Sequence, residues 1–302
     1  MYFVIPEFKK PLVGDKIWIK KIFNFENNIN SDSSLGTLFL WSDVFDVKIC
    51  NFNNILLKKH GNLYEFPKGC LSKYNLKNAI ENLIYDAKIN RYENFKISGL
   101  LSKEVLKLKE IFNDKFEIIK KRNDFEYIYK SKDLALLNGK KYHSKKNHIT
   151  KFSKLYNWTC KYINLNNKEK YIRFFEKWFS EHNFDGKNIY ENSEYKAIRK
   201  AFDLYKDLEL VGISIEIDDK IVACSIGEKI NEKAFLIHFE KALSDYSEAY
   251  SVINNEFAKI LFKKFEFINR EEDLGIEGLR KAKLSYKPID FIYKYDAVLK
   301  EF

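Results

Sequence analysis

Residues 127–152 read YIYKSKDLALLNGKKYHSKKNHITKF, and this stretch closes one half of the chain and opens the other. Tyr127-Ile128-Tyr129-Lys130 is an aromatic and β-branched run that suits a half-buried pleated strand. The character changes at Asn138-Gly139. From there to Lys154 the chain carries six lysines and two histidines and no acid, more than half of the net excess of +10. Such a run is either a solvated helix face or an electropositive wall toward a phosphate-bearing partner. Lys140, Lys141, His143, Lys145 and Lys146 are the candidate phosphate contacts.

Working outward, each half shows the same order of elements. In the first, three short strands (47–52, 55–59 and 63–66) are separated by Asn53-Asn54 and His60-Gly61-Asn62, turn residues that suit hairpins. A helix at 76–88, a strand at 95–98, a helix from Ser102 and strands at 116–119 and 125–130 follow. An N-terminal strand, Tyr2–Ile5, and a short helix near 15–23 come before them. In the second half, helices at 168–181 and 193–205 lead into strands at 210–217, 221–229 and 234–239. A helix at 250–265, a strand at 265–268, a short helix at 274–284 and a closing strand at 289–295 complete it. The closing strands echo one another: Asp124-Phe125 leads to Tyr127–Lys130, and Asp290 to Phe291–Lys294. A repeat this long means two copies of one α+β domain rather than a solenoid, expected at 1–140 and 141–302. The element order resembles that of the GNAT acyltransferase fold, so mixed sheets flanked by helices, duplicated in tandem, are expected.

Composition narrows the function classes. At 302 residues with 45% hydrophobic content the chain can bury two ordinary cores. No apolar run is long enough to span a bilayer, and the N-terminal charges follow rather than precede the apolar stretch, the wrong order for a signal peptide. A cytoplasmic location is expected. Cys50, Cys70, Cys160 and Cys224 form no CxxC pair and the five histidines no HExxH pattern, so neither a disulfide framework nor a metal site is expected. Lysine outnumbers arginine 47 to 6, which makes each arginine the more informative.

Two arginines fall in the densest polar motif, NREEDLGIEGLRKAKLSYKP at 269–288. Acids at its start and cations at its end suit a helix macrodipole. Arg280 and Lys283 share one helix face, and Gly275 with Gly278 suggests close approach of a ligand or a backbone. Arg270, Arg280, Lys283 and Tyr286 are candidate substrate-binding residues, together with Lys241 from IHFEKA at 237–242. In that strand, alternation puts His238 and Glu240 on one face, and Glu240 and Glu271 are candidates to orient or deprotonate an attacking group. A coenzyme A site of the usual kind needs a glycine-rich turn at a helix N-terminus. The corresponding turn, EKALSDYSEAY, has no glycine, and none lies between Gly227 and Gly275. No acetyl-CoA or other cofactor is expected.

Taken together, IHFEKA (237–242), NREEDLGIEGLRKAKLSYKP (269–288) and LNGKKYHSKKNHITKF (137–152) resemble an uncharacterised bacterial family related to the C-terminal domain of phosphatidylglycerol lysyltransferases. The resemblance implies a tandem GNAT fold shared with the Fem-type peptidyltransferases. It also implies transfer of an aminoacyl group from aminoacyl-tRNA, or another activated acyl carrier, to an amine or a lipid hydroxyl. The lysyltransferases carry a multi-span membrane domain that this sequence does not show, so a lipid acceptor would be met peripherally. The alternative is a non-catalytic protein that binds a small metabolite or RNA on the same scaffold.

Overall fold

The computed structural model describes residues 5–182 and 192–302. The expected strand Tyr2–Ile5 lies, but for Ile5, outside them. By contacts the chain divides into two units, residues 1–126 with 272–277 and 291–302, and residues 127–271 with 278–290. The division falls at Glu126 rather than at 140, and the end of the chain belongs to the first unit.

The first unit holds α1 (Lys16–Glu26), α2 (Leu35–Leu40), β1 (Val47–Phe52), β2 (Ile55–His60), β3 (Leu63–Glu65), α3 (Lys73–Ile89), β4 (Lys96–Leu101), α4 (Ser102–Phe112) and β5 (Phe116–Lys120). After β6 (Glu126–Lys130) the second unit continues with α5 (Ser131–Leu136), α6 (His143–Leu155), β7 (Trp158–Tyr162), α7 (Lys168–Glu181), α8 (Ser193–Asp203), β8 (Val211–Ile217), β9 (Lys220–Lys229), β10 (Ala234–Ala242), α9 (Ala249–Leu261), β11 (Phe267–Asn269) and α10 (Glu277–Ser285), and β12 (Asp290–Ile292) starts at its last residue. The last strand is β13 (Lys294–Leu299).

Two mixed sheets result, in the orders β1-β2-β3-β4-β13-β5 and β12-β6-β11-β10-β9-β8-β7. In each, an antiparallel meander pairs its last strand in parallel with the next, β3 with β4 and β10 with β11. The meander turns also correspond. Asn53-Asn54 and Asp218-Asp219 all have positive φ, the backbone a two-residue hairpin needs to match strand twist, which Asn and Asp adopt readily.

The strands that close the halves are exchanged. β6 lies between β11 and β12, and β13 lies between β4 and β5. β13 therefore reaches the first unit's core, where Ala297 is fully buried among Tyr64, Phe95, Ile97, Leu100 and Phe116. The echo of Tyr127–Lys130 by Phe291–Lys294 is out of register with this correspondence. Phe291 and Ile292 end β12, and the counterpart of β6 is Lys294–Leu299. Lys294 anchors that strand: only 4% of its side chain is exposed, and it pairs with Glu126 at 2.8 Å and with Asp32. Glu126 in turn accepts hydrogen bonds from the Ser31 N–H and hydroxyl, both at 2.9 Å.

Candidate active site

In the second unit the strand ends of β9, β10 and β11 present a run of buried polar side chains. β10 carries a bulge at His238: Ile237 faces Gly227 and Phe239 faces Ile226, leaving one residue extra. The close approach fixes the glycine, since a Cβ on Gly227 would stand 2.1 Å from the Leu236 carbonyl oxygen. The bulge also re-aims the strand, so His238 and Glu240 acquire separate partners. His238 donates to Glu228 at 2.8 Å through Nε2 and to Glu271 at 3.0 Å through Nδ1. Burial opposes its charge, but those two carboxylates outweigh it and push its pKa up to about 10. At neutral pH it is an imidazolium and no base. Glu271, which sits at φ +53°, has its backbone N–H held by Asn269 Oδ1 at 2.8 Å.

Glu240 accepts from Arg270 Nη2 at 2.7 Å and from Asn254 Nδ2, on α9, at 3.3 Å. Arg270 lies over two aromatic rings, Tyr286 with 4.8 Å to the centroid and Tyr129 with 5.6 Å. Burial opposes its charge, and Glu240 with the two phenols outweighs this and raises its pKa. Three polar atoms around Glu240 are buried without a hydrogen-bond partner among the described residues: Arg270 Nη1, Asn254 Oδ1 and the hydroxyl of Ser225, the residue opposite Glu240 on β9. Buried polar groups are rarely left so, and their cluster around this largely buried ion pair makes it the candidate site.

The basic residues at the start of α6 and in the turn before it divide. Lys140, Lys141, His143 and Lys146 are exposed, and Lys141 pairs with Asp133. Lys145 turns inward, its Nζ 4.2 Å from the centroid of the Tyr286 ring. Burial, and then the charge of Arg270, hold its pKa below the usual lysine value. Lys283 is buried and donates to the Arg270 carbonyl oxygen at 2.5 Å, which braces the arginine. Arg280 itself is half-buried one turn earlier on α10. That helix begins at Glu277, not 274, because Leu274 and Gly275 both have positive φ. A Cβ on Gly275 would stand 2.8 Å from the Asn123 side chain, whereas Gly278 has open space. Lys241 is held elsewhere, on Glu194 at 2.9 Å and over the Trp178 ring at 4.1 Å. Sequence reasoning missed Asn254, Ser225, Glu228 and Tyr129. An asparagine on the apolar face of α9 and a glutamate inside the apolar β9 were the available signals.

The turn between β10 and α9 carries carboxylates of its own. The Ser244 N–H donates to Glu181 at 2.9 Å, and Glu248 stands at the start of α9, paired with Lys151. Carboxylates therefore sit where a pyrophosphate would need bare N–H groups.

The family described as phosphatidylglycerol lysyltransferase, C-terminal, matches residues 23–298. The chain belongs to this family. A protein of unknown function from Bacteroides thetaiotaomicron has a similar structure at TM-score 0.90 and 33% identity, over 98% of this chain and 100% of that one. The C-terminal domain of a protein described as a lysylphosphatidylglycerol synthetase, from Agrobacterium fabrum, matches at TM-score 0.69 and 12% identity over 95% and 92%. A tandem GNAT protein from the clavulanic acid biosynthesis pathway matches at TM-score 0.53 and 7% identity over 98% and 99%; at such identities the likeness is one of fold. A curated relative, an uncharacterised protein of Mycoplasmoides gallisepticum, is 25% identical over 176 residues, and the match spans 54% of its length. The lysyltransferase-family chain thus has the tandem GNAT fold. Among the described residues no helix is long and apolar enough to cross a membrane.

Proposed function

We propose that this chain is an aminoacyl- or acyl-transferase whose donor is an activated ester, aminoacyl-tRNA before others, and whose acceptor is an amine or a lipid hydroxyl. The observation that supports it is the largely buried Glu240–Arg270 pair with unpaired polar atoms around it. An aminoacyl ester brings an ammonium group, which a carboxylate such as Glu240 suits. It also brings a carbonyl that gains negative charge under attack, which a guanidinium N–H in a water-poor site stabilises. The acceptor nitrogen or oxygen forms the new bond to the carbonyl carbon, the ester C–O bond breaks, and the acceptor proton leaves with the released ribose hydroxyl. Glu240 or Glu271 would orient the acceptor; His238, already protonated, would hold Glu271 in place. Family membership and the carboxylates at the β10–α9 turn both favour a donor other than acetyl-CoA.

The test is deacylation of tRNA charged with labelled amino acids, in the presence of small amines and of phosphatidylglycerol vesicles. Wild-type protein should move label to an acceptor. Arg270→Lys, which keeps the charge and loses the planar fork, should slow this by about tenfold or more. A non-catalytic binder of RNA or a small metabolite is the second reading, favoured by the commitment of His238 and Glu240 to partners of their own. Equal binding of charged and uncharged tRNA, with no label moved, would select it.

A further inference from the structure

We infer that the outer face of α1, with the turn before it, is a docking surface for an anionic bilayer, held by apolar side chains set among the headgroups and by lysines on their phosphates. The inference concerns the first unit alone and is independent of the transfer proposed for the second.

The first observation is apolar exposure. α1 buries Ile19, Ile22 and Phe23, and its opposite face is not the wholly polar one that a surface helix shows to water. Ile17 is 68% exposed and Phe25 64%, and Leu12 and Val13, in the turn that leads into the helix, are exposed as well. Val13, Ile17, Lys21 and Phe25 follow at intervals of four and so form one stripe along the helix. Ile89, Leu106 and Ile119 are also exposed but lie on three different elements, α3, α4 and β5, as scattered surface residues ordinarily do.

The second observation is charge. Residues 9–27 hold five lysines and two acids, and both acids are held by partners of their own. Asp15 is buried and accepts from the Leu12 N–H at 2.9 Å and from Trp18 Nε1 at 3.0 Å. Glu26 accepts from the Gly69 N–H at 3.0 Å and from Asn28 Nδ2 at 2.8 Å. Lys20 and Lys21 are exposed on the helix, so the face meets its surroundings as a cation.

These two observations together select the occupant. A second copy of the chain would set lysine against lysine. A protein groove takes an apolar stripe kept apart from charge, whereas Lys21 stands within this one. A bilayer interface accepts both. Apolar side chains lie at the boundary of headgroups and acyl chains, and a lysine keeps its stem there while its ammonium reaches a phosphate.

Sedimentation of the full chain with vesicles tests the surface. The probes are phosphatidylcholine vesicles and the same vesicles doped with phosphatidylserine or, at equal charge, with phosphatidylglycerol. The protein should bind both anionic kinds alike and the neutral kind far more weakly. Lys21→Gln should weaken binding about fivefold. The double variant Ile17→Ser with Phe25→Ser should weaken it by about a hundredfold at an unchanged melting temperature, since both side chains are exposed. Ile89→Ser, at the far end of α3, should leave binding as it was. Equal losses in Ile89→Ser and the double variant, or neutral vesicles bound as tightly as anionic ones, would overturn the surface. Binding to phosphatidylglycerol but not to phosphatidylserine would overturn it too, because that reports recognition of one headgroup by an acceptor site. Self-association in ultracentrifugation that the double variant abolishes would give the face to a second copy instead. No arm requires transfer. A protein that binds vesicles without moving an aminoacyl group loses only the transferase reading, and one that transfers but ignores vesicles loses only this surface.

Discussion

At the scale of single residues the site is built from charges that hold one another. His238 is the clearest, an imidazolium whose two N–H groups both end on carboxylates. A free histidine titrates near 6.5, and the carboxylates of Glu228 and Glu271 push His238 up to about 10. Its proton therefore stabilises the fold fully below pH 6.5, progressively less as pH rises from there, and no longer above 10. His238→Gln should lower the stability by about 3 kcal/mol at neutral pH, because Glu228 and Glu271 lose their shared cation. The gap in melting temperature between variant and wild type should narrow steadily from pH 7 to pH 10. A gap of constant size would make the histidine a packing residue and nothing more. Arg270 is held differently, by Glu240 on one side and by the Lys283 ammonium on its own carbonyl. Arg270→Lys should therefore change the melting temperature little while it slows transfer. A large loss of stability with unchanged transfer would recast the arginine as a tie between β11 and β10.

At the scale of elements the decisive feature is the exchange of β6 and β13 between the sheets. β13 is six residues long, and its place in the first unit rests on Ala297 in the core and on Lys294 between Asp32 and Glu126. Lys294→Met keeps the stem and removes the cation, leaving the buried Glu126 carboxylate without it. It should cost roughly 3–5 kcal/mol, read as a lower urea midpoint with the slope preserved. A midpoint within error of wild type would mean that burial of Ala297 and its neighbours suffices to hold the strand. The start of α9 makes a second element-scale prediction. Glu181 on the Ser244 N–H and Glu248 at the helix start should repel a pyrophosphate, so titration with acetyl-CoA should give no saturable heat. Micromolar binding lost on blocking this turn would contradict that.

At the scale of the whole molecule the net charge of +10 matters for partners rather than for the fold. If α6 and the turn before it face RNA, retention of tRNA should fall steeply with salt. Exchanging Lys140 and Lys146 for glutamine should reduce the slope of log affinity against log salt by about two. An unchanged slope would make those lysines solvent-facing only.

Hairpins, helices and the α+β class were legible in the sequence because they depend on local spacing and turn chemistry. Asn53-Asn54 and Asp218-Asp219 specify their turns whatever surrounds them, and the apolar spacing of α3 and α9 marks their buried faces. The absence of phosphate-loop glycines was equally a local fact. The candidate residues Glu240, Glu271, Arg270, Tyr286 and Lys145 could be named, but not their partnerships. A bulge at His238 set Glu240 and His238 on different partners, and Lys283 turned out to brace the Arg270 backbone. Asn254 and Ser225 joined the cluster from a helix and a strand with no motif to announce them. Which strand completes which sheet was hidden for the same reason. β6 and β13 have similar patterns, and only pairing across more than a hundred residues decides where each one goes. Spacing along a chain determines which residues share a face; which faces and charges then meet is a property of the folded chain alone.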